Sequence, residues 1–136
     1  MISLDTNAVI AAINRRSPNV RPRLEAAIAA GEPVGISTIV LFELRYGIIK
    51  SARPQENAAI LAAFLALEVT TWSFEPENAE EAGEIRAQLE RMGTPIGPYD
   101  VLIAAQARRH GAVLVTDNTY EFARVPGLRI ENWAIS

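Results

Sequence analysis

Cysteine is absent from the 136-residue sequence, so disulfide scaffolds, thiol nucleophiles, Cys-bound zinc and iron–sulfur clusters are excluded together. A single histidine, His110, leaves no material for a two-histidine acid–base pair or an HExxH zinc site. Lysine also occurs once, at Lys50, and arginine supplies the other twelve basic groups. Aspartate is nearly as scarce: Asp5, Asp100 and Asp117 stand against thirteen glutamates. No run approaches the ~20 apolar residues of a membrane span. Met1 leads straight into Ile-Ser-Leu-Asp, without the basic and long apolar segments of a secretory leader, so a cytoplasmic location away from membranes is expected.

What is present is a chain 49% hydrophobic and 21% charged, with a mean hydropathy of +0.10. That is the composition of a folded chain of single-domain size, here residues 1–136. The net charge is −3 and the pI about 5.2, so the overall basic footprint of a nucleic-acid binder is missing. The dominance of Arg over Lys still permits bidentate phosphate contacts.

Ile2 to Leu4 reads as a strand stopped by Asp5-Thr6-Asn7, and Ala8 to Ile13 as a helix. A second helix runs from about Arg21 to Ala30, closed by Gly31. Val34-Gly35-Ile36 reads as a buried strand, after which Ser37 or Thr38 caps a helix to about Lys50. Pro54 opens a helix through Leu65, and Val69 to Trp72 is β-branched and aromatic, hence a strand. Asn78 with Glu81 has the pattern of a capping box, and Ala82, Ile85, Leu89 and Met92 share one face of a helix that Gly93 ends. Gly97-Pro98-Tyr99 reads as a loop before a helix led by Asp100, apolar nearly all round and capped by Gly111. Ala112 to Val115 is a strand, Thr116 to Glu121 a turn region, and Leu128 to Ile130 a last short strand. Such alternation predicts an α/β fold, a mostly parallel sheet with helices on both faces.

Every aspartate borders an apolar run: Asp5 follows Ile-Ser-Leu, Asp100 precedes Val-Leu-Ile-Ala-Ala, and Asp117 follows Val-Leu-Val-Thr. Glu43 interrupts the apolar stretch Ile-Val-Leu-Phe…Leu. Taken singly, Asp5 and Asp100 serve as helix caps, Asp117 as a turn former and Glu43 as part of a solvated stripe. Taken together, they fall where an open α/β sheet binds ligands, beyond the carboxyl ends of its strands. Four such acids without counter-charges repel one another, and a hard divalent cation, Mg²⁺ or Mn²⁺, relieves that cost through oxygen ligands. Ions of this kind activate water and stabilise charge on a phosphodiester, which needs neither His nor Lys. Without these four acids the net charge of −3 becomes +1.

At these residues the sequence resembles the PIN-domain ribonucleases, and within them the VapC toxins of bacterial toxin–antitoxin pairs. The resemblance covers nearly the whole chain. It rests on Leu4-Asp5-Thr6-Asn7, Phe42-Glu43-Leu44 with Tyr46-Gly47, Gly93-Thr94-Pro95-Ile96-Gly97-Pro98-Tyr99-Asp100, and Leu114-Val115-Thr116-Asp117-Asn118 followed by Phe122 and Val125-Pro126-Gly127. It implies a three-layer α/β/α domain, metal-dependent endoribonuclease activity and a homodimer. It also implies neutralisation by a small cognate antitoxin, through which operator DNA is bound. Asp5, Glu43 and Asp100 match the family's acids, and Asp117 its fourth, more variable one. Thr116 and Asn118 are supporting residues, since either can orient water or phosphate, although turn chemistry explains them as well. This branch of the family includes enzymes that cut tRNA in the anticodon stem-loop, which makes tRNA the expected substrate.

Arg15, Arg16 and Arg91 are candidate phosphate contacts, with a solvated helix end as the plainer account of Arg91. His110 fits a helix C-terminus rather than catalysis. Trp72, Phe74 and Trp133 are read as core. Two alternatives stand beside the nuclease. A receiver-like phosphoacceptor module shares the size, sheet and Mg²⁺ pocket, but needs paired acids after the first strand and a Lys after the last. A catalytically silent partner-binding domain leaves the four acids without a purpose.

Overall fold

Leu4 hands the chain to Asp5 at the centre of a parallel sheet, and the position of that strand decides where the acids meet. The computed structural model describes residues 1–135. Strands β1 (Ile2–Leu4), β2 (Val34–Ser37), β3 (Thr70–Trp72), β4 (Val113–Val115) and β5 (Arg129–Glu131) form one sheet in the order β3-β2-β1-β4-β5. Every neighbouring pair is parallel. The helices are α1 (Thr6–Asn14), α2 (Val20–Ala29), α3 (Thr38–Lys50), α4 (Pro54–Leu65), α5 (Pro76–Arg91), α6 (Pro98–Arg109) and the short α7 (Thr119–Phe122). Growth from β1 through β2 to β3 goes one way, and β4 and β5 are added on the other side. Right-handed crossovers therefore place α1 to α4 on one face and α5 and α6 on the opposite one, giving three layers. Among the described residues no helix is long and apolar enough to cross a membrane.

The strands are only three or four residues long, so cohesion comes from side chains clamped between layers. Leu4, Ile36, Leu114, Val9, Val40, Leu61, Ile85, Leu89, Ile103 and Phe122 belong to one buried cluster, each worth about 1.5–3 kcal/mol of burial. Helix α6 is buried from Ile103 to Ala107, as its nearly unbroken apolar character predicts. Its one buried amide, Gln106, donates through Nε2 to the carbonyls of Trp72 and Ser73 at 3.1 and 3.2 Å, tying the helix to the end of β3. Gly35 is required in β2 by close approach: a Cβ there lies 2.5 Å from the Thr70 carbonyl oxygen and 2.8 Å from the Trp72 ring.

Several boundaries differ from the sequence reading. The capping box lies one turn earlier than Asn78/Glu81. Glu75 is the N-cap of α5 and Asn78 the reciprocating third residue, the Asn78 Oδ1 accepting from the Glu75 amide at 2.8 Å. Pro76 then starts the helix. Met92 is the C-cap of α5 and exposed, so it leaves the buried face of Ala82, Ile85 and Leu89. Pro98 and Tyr99 form the first turn of α6 rather than a loop, because proline at the first helical position lacks only an amide that is unpaired there anyway. Strand β3 begins at Thr70, not Val69, and α7 forms inside the expected turn region. Trp133 is buried as expected, and Trp72 and Phe74 are half-buried.

Candidate active site

The sheet order reverses between β1 and β4, and the crevice beyond their carboxyl ends is where such sheets accept ligands. Leu4 is in register with Val115, and the Asp5 amide donates to the Val115 carbonyl at 3.1 Å. Asp5 thereby stands beside Thr116 and Asp117 by backbone pairing alone. Its carboxylate caps α1, accepting from the Ala8 amide at 2.8 Å. The plain role of a helix cap and the site role coexist in one residue.

Helix α3 carries Glu43 from the end of β2. Ser37 caps that helix by accepting from the Ile39 amide at 3.0 Å, which fixes where its second turn falls. There the Thr6 hydroxyl donates to Glu43 Oε1 at 2.6 Å, linking the first residue of α1 to α3. The solvated-stripe account of Glu43 is thus replaced by a bridge across two elements. Asp100 lies in the first turn of α6, and the absence of a side chain at Gly97 leaves room for it: a Cβ there comes within 3.2 Å of Asp100 Oδ2.

Burial and mutual repulsion mark these acids out. The Asp5 carboxyl, 5% exposed, is pushed up from 3.8 to about 6, first by burial and then by the charges of Asp117 and Glu43, while the Thr116 side chain and the Ala8 amide pull it down. Asp100 is also raised from 3.8 to about 6, first by burial and then by Glu121, Glu43 and Asp5. Asp5 thus lies within reach of the charges of Asp117 and Glu43, and Asp100 within reach of those of Glu121, Glu43 and Asp5. Among the described residues none of them forms an ion pair. Nor do any three close into a ready coordination sphere among the described residues. The donor set, carboxylate oxygens with no sulfur or imidazole, is of the kind that a hard divalent cation would take.

Glu121 was not singled out in the sequence, and it is the fifth acid of the site. It sits on α7, where its Oε2 accepts from Asn118 Nδ2 at 3.2 Å while its charge bears on Asp100. Its only sequence signal was its place one turn beyond Asp117-Asn118, inside a segment that reads as a turn. Thr116 is buried and its hydroxyl accepts from the Asn118 amide at 2.9 Å. Thr116 and Asn118 thus shape the loop that presents Asp117 and Glu121. Asp117 itself is exposed, at the outer side of the group.

The basic candidates are less tightly built in. Arg15, Arg16 and Arg91 are all exposed, and among the described residues their side chains have no hydrogen-bond or ion-pair partner. Arg15 is the C-cap of α1, with φ 55°. His110 lies away from the acids, its Nε2 3.1 Å from Asn78 Nδ2, beside a cavity of about 360 Å³ lined also by Ser3, Trp72 and Gln106. A second opening, about 340 Å³ and mainly apolar, runs between α1, α3 and α4, with Ile10, Ile13, Ile48 and Ile60 among its walls and Glu43 at its edge.

Comparison with known proteins identifies the family to which this fold and sequence are similar. The PIN domain family model matches residues 2–128. The chain is 43% identical over 131 residues, 96% of each chain, to the tRNA(fMet)-specific endonuclease VapC of Salmonella typhimurium. It is 42% identical over 130 residues, again 96% of each, to Ribonuclease VapC2 of Haemophilus influenzae. Among solved structures, VapBC2 from Rickettsia felis bound to a DNA fragment from its promoter superposes with a TM-score of 0.91 at 40% identity. That match covers 98% of this chain and 99% of the other.

Proposed function

The chain belongs to the PIN domain family, and from that membership and the geometry of its acids we propose that it is a metal-dependent endoribonuclease toxin of the VapC type. One observation carries the chemistry: Asp5, Glu43, Asp100, Asp117 and Glu121 gather at the reversal of the sheet with no basic partner among the described residues. An enzyme that relied on the protein alone would place a cation or a proton donor there. Asp5, Glu43 and Asp100 would hold Mg²⁺ or Mn²⁺, with Asp117 and Glu121 at the outer side. When bound, the ion supplies charge neutralisation at the phosphodiester and an activated water. The protein's own part is positioning: the Thr6 hydroxyl orients Glu43, the cap on α1 fixes Asp5, and Gly97 gives Asp100 its place.

The substrate is tRNA: the names of the Salmonella and Shigella relatives point to tRNA(fMet), and the family resemblance implies a cut in the anticodon stem-loop. The partner is a VapB-type antitoxin, supported by the complexes in which the structural relatives were solved. The apolar opening between α1, α3 and α4 has Glu43 in its lining, so a partner seated there would reach the acids. Operator DNA is engaged through the antitoxin. A receiver-like phosphoacceptor gains no support, since Thr6 and not a second acid follows Asp5 in the chain and the only lysine lies on α3.

Purified protein incubated with tRNA(fMet) tests the reading. Cleavage in Mg²⁺ or Mn²⁺ that stops on addition of EDTA is expected, and cleavage that persists in excess chelator overturns the mechanism.

A further inference from the structure

The cavity of about 360 Å³ beside His110 opens toward the amino-terminal edge of the sheet: Met1 and Ala112, which precede β1 and β4, are in its wall, and none of the five site acids is. Ser3 pairs in register with Gly35, and Gly35 with Thr70. Side chains alternate along a strand, so Ser3, Gly35, Thr70 and Trp72 all face the same layer. The Trp72 indole fills the place that Gly35 leaves. A Cβ at Gly35 stands 2.8 Å from both Cε3 and Cη2, two ring atoms not bonded to each other, and the atom between them is no closer. Gly35 therefore lies under the face of the ring and not at its edge. The other face is turned from the sheet toward α6, where Gln106 and Ala107 wall the cavity. Two oxygens at this wall are left over. Ser3 is 5% exposed and its hydroxyl makes no hydrogen bond to another described residue. Gln106 Oε1 is buried without a partner, because Nε2 is committed to the Trp72 and Ser73 carbonyls.

A space of this size suits a small molecule, since ligand sites begin at about 300 Å³. No Lys or Arg lines it, the Met1 ammonium is paired with Glu32 at 3.3 Å, and Glu75 adds a carboxylate, so a phosphate finds no attraction there. A flat aromatic surface beside two unpaired oxygens selects an uncharged planar heterocycle that carries an amino group. We propose that this cavity binds a free aminopurine, as base or nucleoside, at a site separate from the acids. The purine ring stacks on Trp72, and the two N–H bonds of its amino group donate to Ser3 Oγ and Gln106 Oε1. The want of a phosphate contact distinguishes this ligand from a base held in an RNA chain. The inference does not depend on the ribonuclease reading.

The test is nitrogen-15 NMR of the full chain in EDTA, titrated with adenosine and with purine riboside, which lacks the amino group. The two tryptophans give two indole N–H signals, assigned with Trp72→Phe. Trp133 is the control: it lines the opening beside Asp117, so a nucleoside caught near the acids moves its signal and not that of Trp72. Adenosine is expected to shift the Trp72 signal with a Kd below about 1 mM, and purine riboside to bind roughly 10-fold more weakly. Ser3→Ala removes one acceptor and little volume, so adenosine should weaken roughly 5-fold while purine riboside stays within about twofold. Ala107→Leu fills the space and should abolish the shift in a chain with an otherwise unchanged amide spectrum. A Trp72 signal unmoved at about 5 mM adenosine, equal affinity for the two ligands, movement of Trp133 alone, or a Ser3→Ala chain that binds as wild type does overturns the proposal. An anticodon stem-loop RNA should leave the Trp72 signal in place. A shift produced by that RNA and not by adenosine assigns the cavity to a base of the RNA chain and overturns the free ligand.

Discussion

Replacing Asp5 by Asn should stabilise the metal-free protein while disabling it. Asp5 is 5% exposed, and its carboxyl is raised from 3.8 to about 6 by burial and by Asp117 and Glu43. A carboxyl that holds its proton more tightly when folded contributes stability that is fully present below about pH 4 and is lost as the pH rises through about 6. At pH 7.5 the ionised group therefore costs about 3 kcal/mol relative to the neutral one. Asparagine is neutral at every pH and caps a helix as well as aspartate, so the bond from the Ala8 amide survives. Allowing for the lost contribution of Thr116, the variant should gain about 2–3 kcal/mol in EDTA at pH 7.5, roughly 7–10 °C in Tm for a domain of this size. At pH 4 the gain should nearly vanish. An ion at about 100 times its Kd gives wild type back about 2.7 kcal/mol, closing most of the gap, while the variant responds weakly. Thermal melts at the two pH values, with EDTA and with Mn²⁺, decide the matter. A variant less stable than wild type at pH 7.5 in EDTA, or equally stabilised at pH 4, refutes the reasoning.

Asp100→Asn should abolish RNA cleavage and toxicity on expression with an unchanged circular dichroism spectrum, whereas exposed Asp117→Asn should keep measurable activity with metal affinity reduced ~10 to 100-fold. Metal titrations that show Asp117→Asn as dead as Asp100→Asn at saturating Mn²⁺ contradict that ranking. Glu121→Gln removes the charge that bears most on Asp100 after burial itself, so the Asp100 carboxyl should titrate below about 6 in metal-free protein, though not at its ordinary value. Carbon-detected NMR of the side-chain carboxyls reads this directly. Ile60→Asp places a charge on the wall of the apolar opening beside Glu43; it should weaken antitoxin binding at least ~10-fold by burying an unpaired carboxylate, with RNase activity unaltered.

The acids that were legible in the sequence are those whose neighbours are apolar. Asp5 and Asp117 end buried strands and Asp100 opens a buried helix, so a parallel sheet alone sends them toward its carboxyl edge. The absence of cysteine, and of all but one histidine and one lysine, narrowed the chemistry to carboxylates and an oxygen-loving ion before any fold was in view. Strand order is another matter. That β4 pairs with β1, putting Val115 opposite Leu4, depends on contacts between residues more than a hundred positions apart, and no local period encodes them. Glu121 was hidden for the same reason: on a four-residue helix it carries no amphipathic signature, and only the tertiary fold brings its charge to Asp100. The same holds for the wall of the cavity beside His110, whose Ser3, Trp72 and Gln106 come from β1, β3 and α6. Sequence patterns fixed which side chains turn away from the core, because burial of apolar surface is read residue by residue. Which of those side chains face one another was settled only when the crossovers closed the sheet.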